Sequence, residues 1–228
     1  MTDTLTQPVL KLENIRKAFG GIVAIENFSL DVHPGEIVAL VGDNGAGKST
    51  LIKIISGVHA PTSGSMVMDG APIAMSSATK AREHGIEVVY QDLALADQQS
   101  VYMNLFLGRE MTKGMFGQLD RKAMIGETQR LVDELDVRIP SPHATIRDLS
   151  GGQRQGIAIA RATRWAKKLI LLDEPTAGLD SDSEVFVLEA LHKLAVAGKT
   201  LIFSTHHQAL LTLANRVLLV SDGEVRDA

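Results

Sequence analysis

Residues 42–49 read GDNGAGKS and follow the apolar run Ile37–Val41 without a break. The spacing matches G-x-x-x-x-G-K-[ST], a loop set between a strand and a helix that cradles phosphate groups. Gly42, Gly45 and Gly47 let the backbone curl without Cβ clashes. Successive N–H groups, those of Asp43, Asn44 and Ala46 among them, can then face one anion. A helix from Gly47 through Thr50 to Gly57 adds the partial positive charge of its N-terminus. Lys48 supplies a point charge for the outer phosphates, and Ser49 a hydroxyl ligand for Mg²⁺.

Two further segments carry chemistry. KLILLDEP at 168–175 ends an apolar strand on adjacent carboxylates, Asp173 and Glu174. Successive strand residues point to opposite faces, so the two need not share a role. One can hold the metal and the other polarise an attacking water, while Pro175 ends the strand. LSGGQ at 149–153 opens a helical run, with Ser150 at the N-cap and Gly151, Gly152 and Gln153 leaving the first N–H groups open to a second anion. Either two anions bind, or one nucleotide lies between two surfaces. Residue chemistry leaves both open.

The elements that must position these residues are legible as runs. Residues 86–90, 168–173 and 199–204 read as buried strands beside Ile37–Val41. Uninterrupted apolar strands suit a largely parallel sheet covered on both faces, and hence an α/β fold. Residues 183–195 carry Val185, Leu188, Leu191 and Leu194 at helical spacing. Residues 10–32, broken at Gly20-Gly21, and 64–69 read as an antiparallel layer. Between 92 and 165 there is no convincing strand, only helical patterns at 100–108, 120–135 and 151–165. The apolar residues Leu93, Leu95, Val101, Met103 and Phe106 fit either a groove border or a subdomain core.

Composition narrows the function classes. The formal net charge of -4 argues against a broad basic face for nucleic acid. The absence of cysteine removes disulfides and thiol chemistry. The N-terminal ten residues show no leader peptide, and no apolar run reaches the roughly 18 residues of a membrane helix. A soluble, cytoplasmic chain is expected.

Phosphate loop, LSGGQ, LLDEP and STH, in this order and spacing, resemble the ATPase subunits of ATP-binding-cassette (ABC) transporters over essentially the whole chain. The resemblance implies a P-loop NTPase fold: a RecA-like mixed sheet core, an N-terminal antiparallel β layer and an inserted helical subdomain. The division would be 1–91 and 166–228 for the core and 92–165 for the helical part. It implies ATP and Mg²⁺ as cofactors and a head-to-tail homodimer in the ATP state, with each nucleotide held between one chain's phosphate loop and the other's LSGGQ.

By position, Phe19 in RKAFGG would stack on adenine, and Gln91 in VVYQ would touch Mg²⁺ and water. Glu174 would be the catalytic base and Asp173, with Ser49, the metal shell. Asp180 in AGLD would reach across the dimer, and His206 in STHH would contact the γ-phosphate. His207 has no such role and is read as a surface residue opening a helix.

Several stretches, among them GDNGAGKSTLIKIISGVHAPTSG and RDLSGGQRQGIAIARA, are similar to the ATPases of bacterial sugar importers of the ribose, xylose and fructose type. That implies transmembrane permease subunits, a solute-binding protein beyond them, and a peripheral place on the inner face of the membrane. Three rival classes fit less well. DNA-maintenance ABC ATPases insert a coiled coil or zinc modules, and translation-factor ones carry two cassettes. Exporters usually fuse the membrane helices and carry an acidic, glycine-containing motif where TIRD stands at 145–148.

Overall fold

The computed structural model describes residues 7–221 and 223–227; the N-terminal segment read as free of a leader begins outside them. The chain opens with a long antiparallel pair, β1 (Leu10–Phe19) and β2 (Ile22–Val32), turned at the predicted Gly20-Gly21. β3 (Ile37–Val41) leads through the phosphate loop into α1 (Lys48–Ile55). The chain then returns to the antiparallel layer as β4 (Ser63–Met68) and β5 (Ala71–Ile73). A short α2 (Ala78–Glu83) precedes β6 (Ile86–Val89).

The next stretch is mainly helical: α3 (Val101–Leu105), α4 (Arg121–Glu134) and α5 (Gly151–Trp165). It departs from expectation in one respect, a small hairpin of β7 (Thr112–Lys113) and β8 (Gln118–Leu119) between α3 and α4. The remaining elements are β9 (Leu169–Asp173), α6 (Ser181–Val196), β10 (Leu201–Ser204), α7 (Gln208–Leu211), β11 (Arg216–Ser221) and β12 (Glu224–Asp227).

Ten strands form one mixed sheet in the order β5-β4-β1-β2-β12-β11-β3-β10-β9-β6. The antiparallel layer is therefore not separate. It joins the parallel block through β12, by the single pair Glu224 and Asn27. In the parallel block, side chains alternate between two cores. Ile37, Ala39, Ile170, Leu172, Leu201 and Phe203 pack under α3, α4, α5 and α6. Val38, Leu40, Leu169, Leu171 and Ile202 pack on the other face with α1 and the antiparallel strands. Burial on both faces is why these strands carry no polar alternation.

Register fixes the site. Ser204 lies beside both Leu40 and Asp173, and Val89 beside Leu172. The ends of β3, β9, β10 and β6 thus meet at one carboxyl-terminal edge, where open α/β sheets place their ligands. Among the described residues no helix is long and apolar enough to cross a membrane.

The open alternatives for the segment after Gln91 divide. Val101 and Phe106 are fully buried core, whereas Leu93, Leu95 and Met103 are partly buried against it. The segment itself is tied to the helical part. Asn104, 0% exposed, accepts from the Ala96 N–H at 2.7 Å and donates to the carbonyls of Ala96 and Ser100. Arg161 of α5 donates to the carbonyls of Leu93 and Ala94, and burial lowers its pKa.

Candidate nucleotide site

The loop 42–47 owes its shape to missing side chains. Gly42 (φ 144°), Gly45 (φ 85°) and Gly47 (φ 112°) all occupy positive φ. A Cβ on Gly42 would collide with the Val220 carbonyl, and one on Gly47 would lie 2.7 Å from Ile25 Cδ1 and 2.8 Å from the Ala24 carbonyl oxygen. The loop therefore lies directly on β11 and β2. Asp43, Asn44 and Gly45 are exposed, while Ser49 and Thr50 are half-buried in the first turn of α1. Residues 42–46 line a cleft of about 730 Å³ with Ile22, Val23 and the end of β11.

Lys48 is 5% exposed. Its Nζ donates to the carbonyls of Gly42 at 2.7 Å and Asp43 at 3.1 Å, and lies 3.6 Å from Glu174 Oε1. Asp173, also 5% exposed, accepts at Oδ1 from Ser49 Oγ at 2.9 Å and from Ser204 Oγ at 2.7 Å. Ser204 Oγ in turn accepts from the Glu174 N–H at 2.9 Å. This buried serine ties the two carboxylate residues together. It was visible in the STHH motif but not singled out, because only its register beside Asp173 reveals it.

Glu174 adopts φ 49°, the left-handed region that costs an L-residue about 1–2 kcal/mol. The turn aims its carboxylate back over the loop, with Oε1 toward Lys48 and Oε2 3.0 Å from Nδ1 of His206. His206 is 67% exposed at its side chain. His207 stands at the N-cap of α7 as expected, but it is half-buried rather than on the surface, with Nε2 3.2 Å from Glu184 Oε2 of α6.

The convergence of a hydroxyl and a buried carboxylate beneath the loop fits Mg²⁺, which takes oxygen ligands. Gln91 stands exposed at the same sheet edge, two residues beyond β6 rather than at its end. The hydrogen bonds at Ser49 and Asp173 do not involve it. Tyr90 just before it is anchored to the core, its hydroxyl donating to Ser56 Oγ at 2.9 Å. Phe19 closes β1, 44% exposed and paired in register with Ile22.

Ser150 stands at the N-cap of α5 as the sequence predicts, but the Gln153 N–H is not left open: it is taken up by the cap itself. Ser150 and Gln153 form a capping box: Ser150 Oγ accepts from the Gln153 N–H at 3.2 Å, and Gln153 Oε1 accepts from the Ser150 N–H at 2.9 Å. Gly152 is needed for packing as well, since a Cβ there would sit 2.7 Å from Ser183 Cβ at the start of α6. Asp180 caps α6, accepting from the N–H and hydroxyl of Ser183, and the backbone bond, followed by the hydroxyl, lowers its pKa. Ser150, Gly152 and Gln153 line a cleft of about 390 Å³ that shares no lining residue with the phosphate-loop cleft. The phosphate loop and the capped start of α5 thus open on different clefts of one chain.

Comparison with known proteins gives this arrangement its context. The sequence pattern of the ABC transporter family matches residues 25–177. The chain is 42% identical over 218 residues to the xylose/arabinose import ATP-binding protein of Sulfolobus acidocaldarius, covering 95% of this chain and 86% of that one. It is 39% identical to the fructose import ATP-binding protein of Rhizobium meliloti, covering 92% and 84%. A ribose import ATP-binding protein of Rubrobacter xylanophilus is 36% identical, and the match spans 96% of this chain but 44% of that one.

Among solved structures, a dimeric bacterial ABC transporter cassette superposes with a TM-score of 0.81 at 27% identity, covering 96% of this chain and 97% of that one. A dimeric cassette in a post-hydrolysis state, bound to ADP and phosphate, gives 0.79 at 27%, with the same coverage. Family pattern, full-length relatives and fold agree with the loop, the carboxylates and the capped LSGGQ helix: the chain belongs to the ABC transporter family, as one of its ATP-hydrolysing cassettes.

Proposed function

We propose that the chain powers uptake of a monosaccharide, working as a homodimer in its ATP state beneath transmembrane permease subunits that receive the sugar from a solute-binding protein. A peripheral position on the cytoplasmic face of the membrane follows from that partnership. The observation that carries the solute class is the identity, 42% and 39% over nearly the whole chain, with two sugar-import ATP-binding proteins. A groove beside Gln91 suits the permease. It is lined by Tyr90, Leu93, Ala94 and Leu107 and bordered by the Arg109–Glu87 ion pair at 2.7 Å.

The reaction is in-line attack of water on the γ-phosphorus of ATP, breaking its bond to the β–γ bridging oxygen and releasing ADP and phosphate. Backbone N–H groups of 43–49 hold the phosphates. Lys48 exchanges its loop carbonyls for β- and γ-phosphate oxygens, which loosens its hold on Glu174. Glu174 accepts a proton from the attacking water, and His206 beside it donates to the γ-phosphate.

Ser49, Asp173 and Gln91 would hold Mg²⁺, which when bound neutralises charge on the β- and γ-oxygens. Ser150, the N–H groups of Gly151 and Gly152, and Gln153 of a second copy close over the γ-phosphate, and Asp180 of each copy lies at the seam. The separate placement of the two receptors within one chain supports this sharing. Closure on ATP and release after hydrolysis then bias the permease between its two facing states.

Capture of the tagged chain from detergent-extracted membranes, followed by ATPase assays of the captured assembly with its solute-binding protein and a panel of pentoses and hexoses, tests the reading. Stimulation by a monosaccharide is expected. Recovery of DNA or ribosomes instead, or an assembly indifferent to every sugar, would overturn it.

A further inference from the structure

The exposed end of β1 is held by a neighbour that the nucleotide chemistry does not require. Phe19 meets the imidazole of His59 edge to face, with ring centroids 5.1 Å apart and planes at 75°. That distance falls within the favourable range for aromatic pairs. The Nζ of Lys17 sits 4.8 Å from the Phe19 ring centroid, within cation–π range, and donates to the Ala60 carbonyl at 2.7 Å.

His59 and Ala60 belong to the turn between α1 and β4, whereas Lys17 lies on β1 itself. The same turn is fixed to β1 by the Thr62 N–H on the Arg16 carbonyl at 2.7 Å and the Ala18 N–H on Thr62 Oγ1 at 3.0 Å. Four contacts thus fasten the segment that leaves α1 to the strand end that bears Phe19. An exposed phenylalanine at a strand terminus would otherwise sample several rotamers, and ordering it would cost free energy at the moment of binding.

We propose that His59, with Lys17, is a positioning residue that holds the Phe19 ring in one orientation to receive the nucleotide base. The inference rests on Phe19 being the base platform, and it adds a second side chain to base recognition. The ammonium and the imidazole occupy part of the Phe19 surface, and the remaining ring face is the one offered to the base. Pre-ordering the ring contributes to ground-state and transition-state binding alike, so it acts on KM and not on kcat.

The test compares Phe19→Ala, His59→Ala and His59→Phe in the full chain, measuring KM and kcat for ATP and competitive inhibition by inorganic tripolyphosphate, which has no base. We expect His59→Ala to raise the KM for ATP about three- to tenfold, the scale of one aromatic pair, with kcat and tripolyphosphate inhibition unchanged. His59→Phe, which keeps an edge-to-face ring, should restore the KM. An unchanged KM in His59→Ala beside a raised KM in Phe19→Ala would overturn the role of His59 while leaving the platform intact. An unchanged KM in Phe19→Ala would remove the platform itself. Loss of tripolyphosphate inhibition in His59→Ala would mark damage to the phosphate loop and would also overturn the proposal.

Discussion

At the scale of single residues the candidate site is a set of side chains that restrain one another. Lys48 is held on loop carbonyls, Glu174 by Lys48 and His206, and Asp173 by two hydroxyls. Lys48→Ala removes the positive charge beneath the outer phosphates. The expected outcome is loss of ATP binding, checked by calorimetric titration against the unaltered chain. Ser204→Ala deletes a donor to Asp173 and leaves the Glu174 N–H without its acceptor in a buried site. That should cost about 1–3 kcal/mol, measurable as a lower urea midpoint. Turnover should fall with it, because the strained φ of Glu174 loses a support.

At the scale of elements, short glycine-dependent motifs were the most legible part of the molecule. Gly42, Gly45 and Gly47 announce a loop because few other backbones need them, and the capping pair Ser150 and Gln153 announces a helix start. Continuous apolar runs gave β3, β9 and β10 to within two residues, since burial on both faces leaves no polar alternation to confuse the reading. The α2 helix was too short to show a period, and β7 and β8 are exposed two-residue strands with no alternation at all. β11 and β12 went unread because their pairing with β3 and β2 is a long-range fact. The packing role of Gly152 was hidden for the same reason: its neighbour, Ser183, belongs to another helix. Gly152→Ala should push α5 from α6 and destabilise the chain by about 1–3 kcal/mol. Adding Ser183→Gly should recover much of that loss in thermal unfolding; no recovery would mean the contact is not the cause.

At the scale of the whole molecule, the phosphate loop and the start of the LSGGQ helix face different clefts, so the Ser150–Gln153 turn does not line the cleft of its own chain's phosphate loop. In the proposed head-to-tail pair each phosphate loop meets the other copy's Ser150–Gln153, and closure completes two sites. On that proposal ATP contributes to assembly as well as to chemistry, and its hydrolysis separates what it joined. Glu174→Gln isolates the assembly step, because it removes the base while keeping the side chain's size, and should slow hydrolysis about 10²–10⁴-fold with ATP binding retained. The decisive measurement is the solution mass of Glu174→Gln by light scattering in ATP and in ADP. The account predicts twice the 24.5 kDa chain in ATP and the single chain in ADP. A 24.5 kDa monomer in saturating ATP, from a chain whose unaltered form hydrolyses ATP at full rate while monomeric, would contradict it.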